Sequence, residues 1–122
     1  MSEGVSTDTV LAIDIGGTKI LGALVSGTAI EEAVDMPTPA SGDPRVWIAD
    51  LLTRAPDWRG RYSRVGAAVT GIVENGRWSA LNPKTLSIPP DYPLTAMLAE
   101  LAGVSAIALN DAQAAAWGEF DL

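Results

Sequence analysis

The stretch LAIDIGGTKILGALVSG, Leu11 to Gly27, decides the fold. It is apolar on both sides of an interruption that contains Asp14, Gly16, Gly17, Thr18 and Lys19. Val10 to Ile15 and Ile20 to Val25 are each long enough for a strand and leave only Gly16 to Lys19 between them, which is the pattern of a hairpin. The plain reading of the interruption is a glycine turn with a solvated Asp and Lys. Against it stands the position of Asp14 inside the apolar run, where an unpaired carboxylate is costly. Adjacent glycines let backbone N–H groups approach an anion, and Thr18 adds a hydroxyl. The pattern therefore favours a turn that handles phosphate, although it is not a GxxxxGK[ST] loop and no helix follows it.

Outward from this hairpin, Ser26-Gly27-Thr28 turns the chain into a third antiparallel strand, Ala29 to Met36. Pro37, Pro39, Ser41 and Gly42 break it, and Asp43-Pro44 starts a helix whose apolar residues, from Val46 to Leu52, recur at helical spacing and which ends before Pro56. Arg64 to Val69 contains VGAAV, apolar throughout, as expected of a central parallel strand reached through a helical crossover. Asn75-Gly76 joins two short strands, Ile72 to Glu74 and Arg77 to Ser79. Leu81 to Tyr92 reads as a long loop. Asp91 is placed to cap a helix over Pro93 to Ala102 with Gly103 at its end. Ala106 to Leu109 is a further buried strand, and Asn110-Asp111 opens a last helix over 112–120.

The expected fold is therefore α/β, with a mixed sheet of three antiparallel then parallel strands and flanking helices, in one domain over 10–122 after a disordered leader over 1–9. The right-handed crossover rule sets the later strands parallel to the first. Their C-terminal ends then bring Asp14, Thr70-Gly71 and Asn110-Asp111 to one edge, where open sheets of this kind bind ligands.

Composition narrows the chemistry. The 122 residues contain no cysteine and no histidine, which removes thiolate and Ser-His-Asp catalysis and the ordinary zinc ligand sets. A net charge of −7 disfavours nucleic acid, and no apolar segment is long enough to span a bilayer. The first residues lack the features of a secretion signal, which favours the cytoplasm. Carboxylates, hydroxyls, Lys and backbone amides remain.

For Asn110 and Asp111, a simple helix cap is the stronger reading on pattern alone. An Asp there stays ionised and can orient a hydroxyl, which suffices for phosphoryl transfer. Asn82, in SALNPKTL, is either an ordinary Asn-Pro turn or a partner for sugar hydroxyls, since its amide both donates and accepts. Lys84 reads as a solvated charge. Trp47, Trp58, Trp78 and Trp117 are scattered over different elements, which suits packing better than sugar stacking.

AIDIGGTK, GAAVTGIVENGRWSALNPKTL and LNDAQAAAWGEF together resemble the ROK family of sugar kinases and repressors, within the actin-like ATPase superfamily, and the likeness runs from Leu11 to Phe120. LNP and NDAQAAAW are most similar to its members that act on N-acetylmannosamine. The resemblance implies two ribonuclease H-like lobes with ATP and Mg2+ between them, and transfer of the γ-phosphoryl group to the 6-hydroxyl of N-acetyl-D-mannosamine in sialic acid breakdown. It maps the first phosphate loop onto Ala12, Ile13, Asp14, Ile15, Gly16, Gly17, Thr18 and Lys19, with Asp14 toward the Mg2+ of ATP. It maps the catalytic base onto Asp111, and sugar contacts onto Gly71, Asn82, Asn110 and Asp111. Family members are more than twice this length, so the expectation is an N-terminal lobe, inactive alone, whose C-terminal lobe and zinc site lie elsewhere and whose parent is a homodimer. Two rival readings are a sugar-sensing ROK regulator, which usually carries a helix-turn-helix ahead of the first phosphate loop, and a ribonuclease H-type nuclease using Asp14 and Asp111 for metal. A glucokinase or other hexose kinase is the alternative within the enzyme class.

Overall fold

The computed structural model describes residues 9–80 and 86–110. The chain opens with β1 (Thr9–Ile15), β2 (Lys19–Ser26) and β3 (Ala29–Pro37), followed by α1 (Pro44–Thr53) and a single 3-10 turn (Pro56–Trp58). β4 (Arg64–Val69) leads to the short ribbon of β5 (Ile72–Glu74) and β6 (Arg77–Ser79), and then to α2 (Leu94–Ala102) and β7 (Ser105–Asn110). Among the described residues the main sheet has the order β3-β2-β1-β4-β7. β1 pairs antiparallel with β2 and parallel with β4, and β4 pairs parallel with β7, so the first three strands are antiparallel and the rest parallel, as expected.

Period-two alternation splits the central strands between two faces. Leu11, Ile13 and Ile15 of β1 join Ile20 and Leu24 of β2 and Val65, Ala67 and Val69 of β4 in one core, closed by Trp47, Ile48 and Leu51 of α1 and Leu94, Met97 and Leu98 of α2. Both helices therefore lie on one face. They approach closely because β2 places Gly22 beneath α1. A methyl group there would stand 3.0 Å from Leu51 Cδ2 and 3.7 Å from the Trp58 ring. The opposite face carries small residues, including Ala12, Ala23 and Ala68, and it also carries Asp14.

The tryptophans pack, as the sequence suggests: Trp47, Trp58 and Trp78 are buried, and Trp117 lies outside the described residues. Buried indoles need acceptors. Trp58 Nε1 donates to Glu32 Oε1 at 3.0 Å, and Trp78 Nε1 donates to the Thr70 carbonyl at 2.8 Å.

Asp43 caps α1 as expected, its carboxylate accepting from the Arg45 amide at 2.9 Å, with Pro44 following as first helical residue. Asn75 and Gly76 both adopt positive φ, 53° and 76°, the geometry of a tight hairpin turn.

The expected cap of α2 is corrected. Asp91 does not cap it. The helix starts at Leu94 after Pro93, which makes no side-chain cap bond. The reason lies one step earlier, where the backbones of Trp78 and Tyr92 exchange hydrogen bonds at 2.7 and 2.8 Å and hold the chain extended up to the proline. Asp91 instead sits at φ 54° with its amide on Ser79 Oγ and its carbonyl accepting from Arg77. Strand boundaries also differ: β1 begins at Thr9, β2 runs from Lys19 to Ser26, β3 runs on to Pro37, and β7 runs from Ser105 through Asn110, so Asn110 ends a strand. Parallel pairing of Asn110 with Val69 carries the strand that far. Of the expected long loop, Leu86 is buried and Ser87 bridges Ser41. Asn82, Lys84, Asp111 and the helix expected over 112–120 lie outside the described residues.

Candidate active site

Parallel register decides what the strand ends bring together. Ile15 pairs with Val69, and Val69 with Asn110, so the C-terminal tips of β1, β4 and β7 form one row. At about 4.8 Å per strand spacing, the first and last tips stand roughly 10 Å apart. Beyond Ile15 the chain enters the Gly16–Lys19 turn, and beyond Val69 it enters Thr70-Gly71. The Thr70 amide approaches the Ile15 carbonyl at 3.4 Å, which links the two turns directly.

The glycine turn is internally closed. The Gly16 amide donates to the Lys19 carbonyl at 3.0 Å. No backbone hydrogen bond among the described residues uses the amides of Gly17 and Thr18, and Thr18 and Lys19 are exposed. Gly16 is half-buried, and a side chain there would press on the Lys19 carbonyl at 3.3 Å. The turn thus presents backbone donors, a hydroxyl and one ammonium group on an accessible surface, a set suited to an anion. Ala12, Ile13 and Ile15 are buried in β1. Their contribution is to fix where the turn begins.

Asp14 stands at the root of this turn. It is half-buried, sits in register with Ala68 and Leu21 on the face opposite both helices, and is not without a partner. Alternation along β1, not a fully buried run, explains its place, and the penalty for an unpaired buried carboxylate does not apply. Among the described residues no group of three metal-ligating side chains is gathered. A divalent ion shared with a nucleotide needs only one or two carboxylates, since phosphate oxygens and water complete its shell. Asp14 at the root of the turn fits that requirement.

Gly71 is half-buried, with φ 119°. It follows Thr70, whose carbonyl is held by the Trp78 indole, so the end of β4 is anchored to the β5-β6 ribbon. Asn110 is half-buried at the tip of β7 and, like Asp14, has a partner. Asn82 and Asp111 lie outside the described residues.

A second cluster ties Tyr92 to the start of α1. The Tyr92 hydroxyl donates to Asp43 Oδ1 at 2.7 Å and accepts from the Arg45 amide at 3.1 Å, while Arg45 forms an ion pair with Glu100. The Tyr92 hydroxyl pKa is pushed up to about 12, first by burial and then by the Asp43 carboxylate beside it. The same hydrogen bond holds the Asp43 carboxyl below its ordinary range.

Sequence reasoning passes over Thr38. Its hydroxyl donates to the Gly16 carbonyl at 2.9 Å, and its amide donates to the Thr18 carbonyl at 3.0 Å. The signal available for it is a hydroxyl residue between two prolines just after an edge strand.

A family model described as the ROK family matches residues 10–122. The chain belongs to the ROK family. It is 53% identical over 111 residues to a bifunctional NanE/NanK enzyme of Brucella melitensis, covering 91% of this chain and 21% of that protein. It is 44% identical over 112 residues to an N-acetylmannosamine kinase of Vibrio vulnificus, covering 91% of this chain and 38% of that one. Among solved structures it resembles a ROK glucokinase from Streptomyces griseus, determined with glucose and AMPPNP, with a TM-score of 0.73 and 28% identity over 91% of this chain and 36% of that chain. The ROK chain thus spans between a fifth and two fifths of these relatives. The likeness to ROK kinase structures gives its mixed sheet and two helices the actin-like ATPase fold. No helix among the described residues is long and apolar enough to cross a membrane.

Proposed function

We propose that residues 10–122 form the N-terminal lobe of an ATP-dependent sugar kinase that phosphorylates the 6-hydroxyl of N-acetyl-D-mannosamine. The observation that carries this reading is the single row formed by the tips of β1, β4 and β7, with an anion-suited turn at one end and Asn110 at the other. The kinase names of the relatives and the glucose and nucleotide analogue in the glucokinase structure support the same chemistry.

The Gly17 and Thr18 amides and the Thr18 hydroxyl receive phosphate oxygens, with Lys19 adding positive charge. Asp14 would hold a Mg2+ ion carried by ATP, which would neutralise phosphate charge there. Gly71, Asn82 and Asn110 line the sugar side. Asp111, next in sequence after Asn110, takes the proton of the 6-hydroxyl as that oxygen forms its bond to the γ-phosphorus and ADP departs. Positioning and electrostatics account for most of the rate in such transfers. The second lobe, beyond these residues, completes the nucleotide and sugar pockets. The complete protein is a cytoplasmic homodimer on this reading.

The complete polypeptide is assayed for ADP release with N-acetylmannosamine, glucose and other hexoses. N-Acetylmannosamine is expected to give the highest kcat/KM, and Asp111→Asn to abolish transfer with little change in sugar binding. Absence of sugar-dependent turnover overturns the kinase reading, and preference for glucose overturns the substrate.

A further inference from the structure

We propose that Thr38 is a positioning residue for the nucleotide, locking the Gly16–Gly17 peptide plane of the Gly16–Lys19 turn so that the Gly17 amide faces the phosphates. This role rests on the reading of that turn as the phosphate site. A peptide unit is planar and trans, so its C=O and N–H point in opposite directions. The Thr38 hydroxyl holds the Gly16 carbonyl at 2.9 Å, and the N–H of Gly17, in the same plane, is thereby directed away from Thr38. A second hold, from the Thr38 amide to the Thr18 carbonyl at 3.0 Å, fixes the far side of the turn.

Without such holds the Gly16-Gly17 linkage is the least constrained backbone in the hairpin, because glycine populates both signs of φ with similar ease. The Gly16 amide bond to Lys19 closes the turn but leaves the orientation of the following plane unset. Thr38 is well suited to the task. Pairing of Lys19 with Pro37 at the end of β3 brings residue 38 alongside the turn. Pro37 and Pro39 have no N–H to compete for the turn's carbonyls, and the residue before a proline is confined to extended conformations. Half-buried between them, Thr38 acts on the turn as a stiff double hook.

In the complete kinase, Thr38→Val keeps the shape and the backbone bond and deletes only the hydroxyl. Loss of one positioned hydrogen bond of about 1 kcal/mol corresponds to roughly a five- to tenfold rise in KM for ATP, with KM for the sugar changed less than about twofold. Thr38→Ser should restore the ATP value to near wild type, and Thr38→Ala should show the same split as Val. Melting temperatures of all three are measured alongside. An unchanged ATP KM in Thr38→Val overturns this role alone. Equal rises in both KM values, or a lowered melting temperature without the split, or failure of serine to rescue, show a merely structural residue and also overturn it. A wild-type protein that transfers no phosphoryl group overturns the kinase reading and this role with it.

Discussion

Removing the Asp43 carboxylate tests how Tyr92 is tied to the start of α1. Asp43→Ala deletes a helix N-cap, worth about 1 kcal/mol. It also takes the acceptor from the Tyr92 hydroxyl, which is 9% exposed and bonded at 2.7 Å. The Arg45 amide donates to that oxygen at 3.1 Å and cannot replace the lost acceptor, so the stranded donor costs about 1 kcal/mol. The sum is roughly 2 kcal/mol, or a fall of about 8 °C in Tm for a domain of this size. Tyr92→Phe removes the hydroxyl but leaves the cap, at a cost of roughly 1 kcal/mol. The double variant has lost the cap and strands nothing, so it should cost about 2 rather than 3 kcal/mol, a coupling of roughly 1 kcal/mol. Urea denaturation followed by tryptophan fluorescence reads all four proteins. Additivity within about 0.3 kcal/mol would refute the claim that the two side chains act as one tether.

Two further outcomes follow from the same geometry. The folded-state pKa of Tyr92 is raised to about 12, so its stabilisation is complete below an unfolded value of about 10 and is lost as pH rises toward 12. Wild type should therefore lose stability over that window relative to Tyr92→Phe, and parallel curves in alkaline denaturation would contradict it. Gly22→Val thrusts a branched side chain into the 3.0 Å gap below Leu51 and should cost about 1 to 3 kcal/mol in urea unfolding. A stability equal to wild type would mean that α1 lifts away freely.

Local patterns with a single physical solution were legible in the sequence. The apolar runs around Gly16–Lys19 left room only for a hairpin, VGAAV suited a strand covered on both sides, and Asp43-Pro44 announced α1 with both cap and first-turn proline. Where two local signals competed, the sequence misled. Asp91 carries the cap chemistry, but the Trp78–Tyr92 bridge, a contact between distant residues, claimed the backbone first. Asp14 looked like a buried charge because the run around it is apolar, and only the sheet register shows that it faces away from the core. At the site, the row of strand tips followed from crossover handedness. Thr38 did not, because a hydroxyl reaching 22 residues back to a carbonyl leaves no periodic trace.

The central claim is that the turn after β1 grips nucleotide phosphate on the same edge where Gly71 and Asn110 meet the sugar. A crystal structure of the complete protein with N-acetylmannosamine and a non-hydrolysable ATP analogue tests it directly. Phosphate oxygens within hydrogen-bonding distance of the Gly17 and Thr18 amides, with the sugar against Gly71 and Asn110, is the predicted result. A nucleotide seated away from that turn, or a sugar on the opposite end of the sheet, would contradict the account.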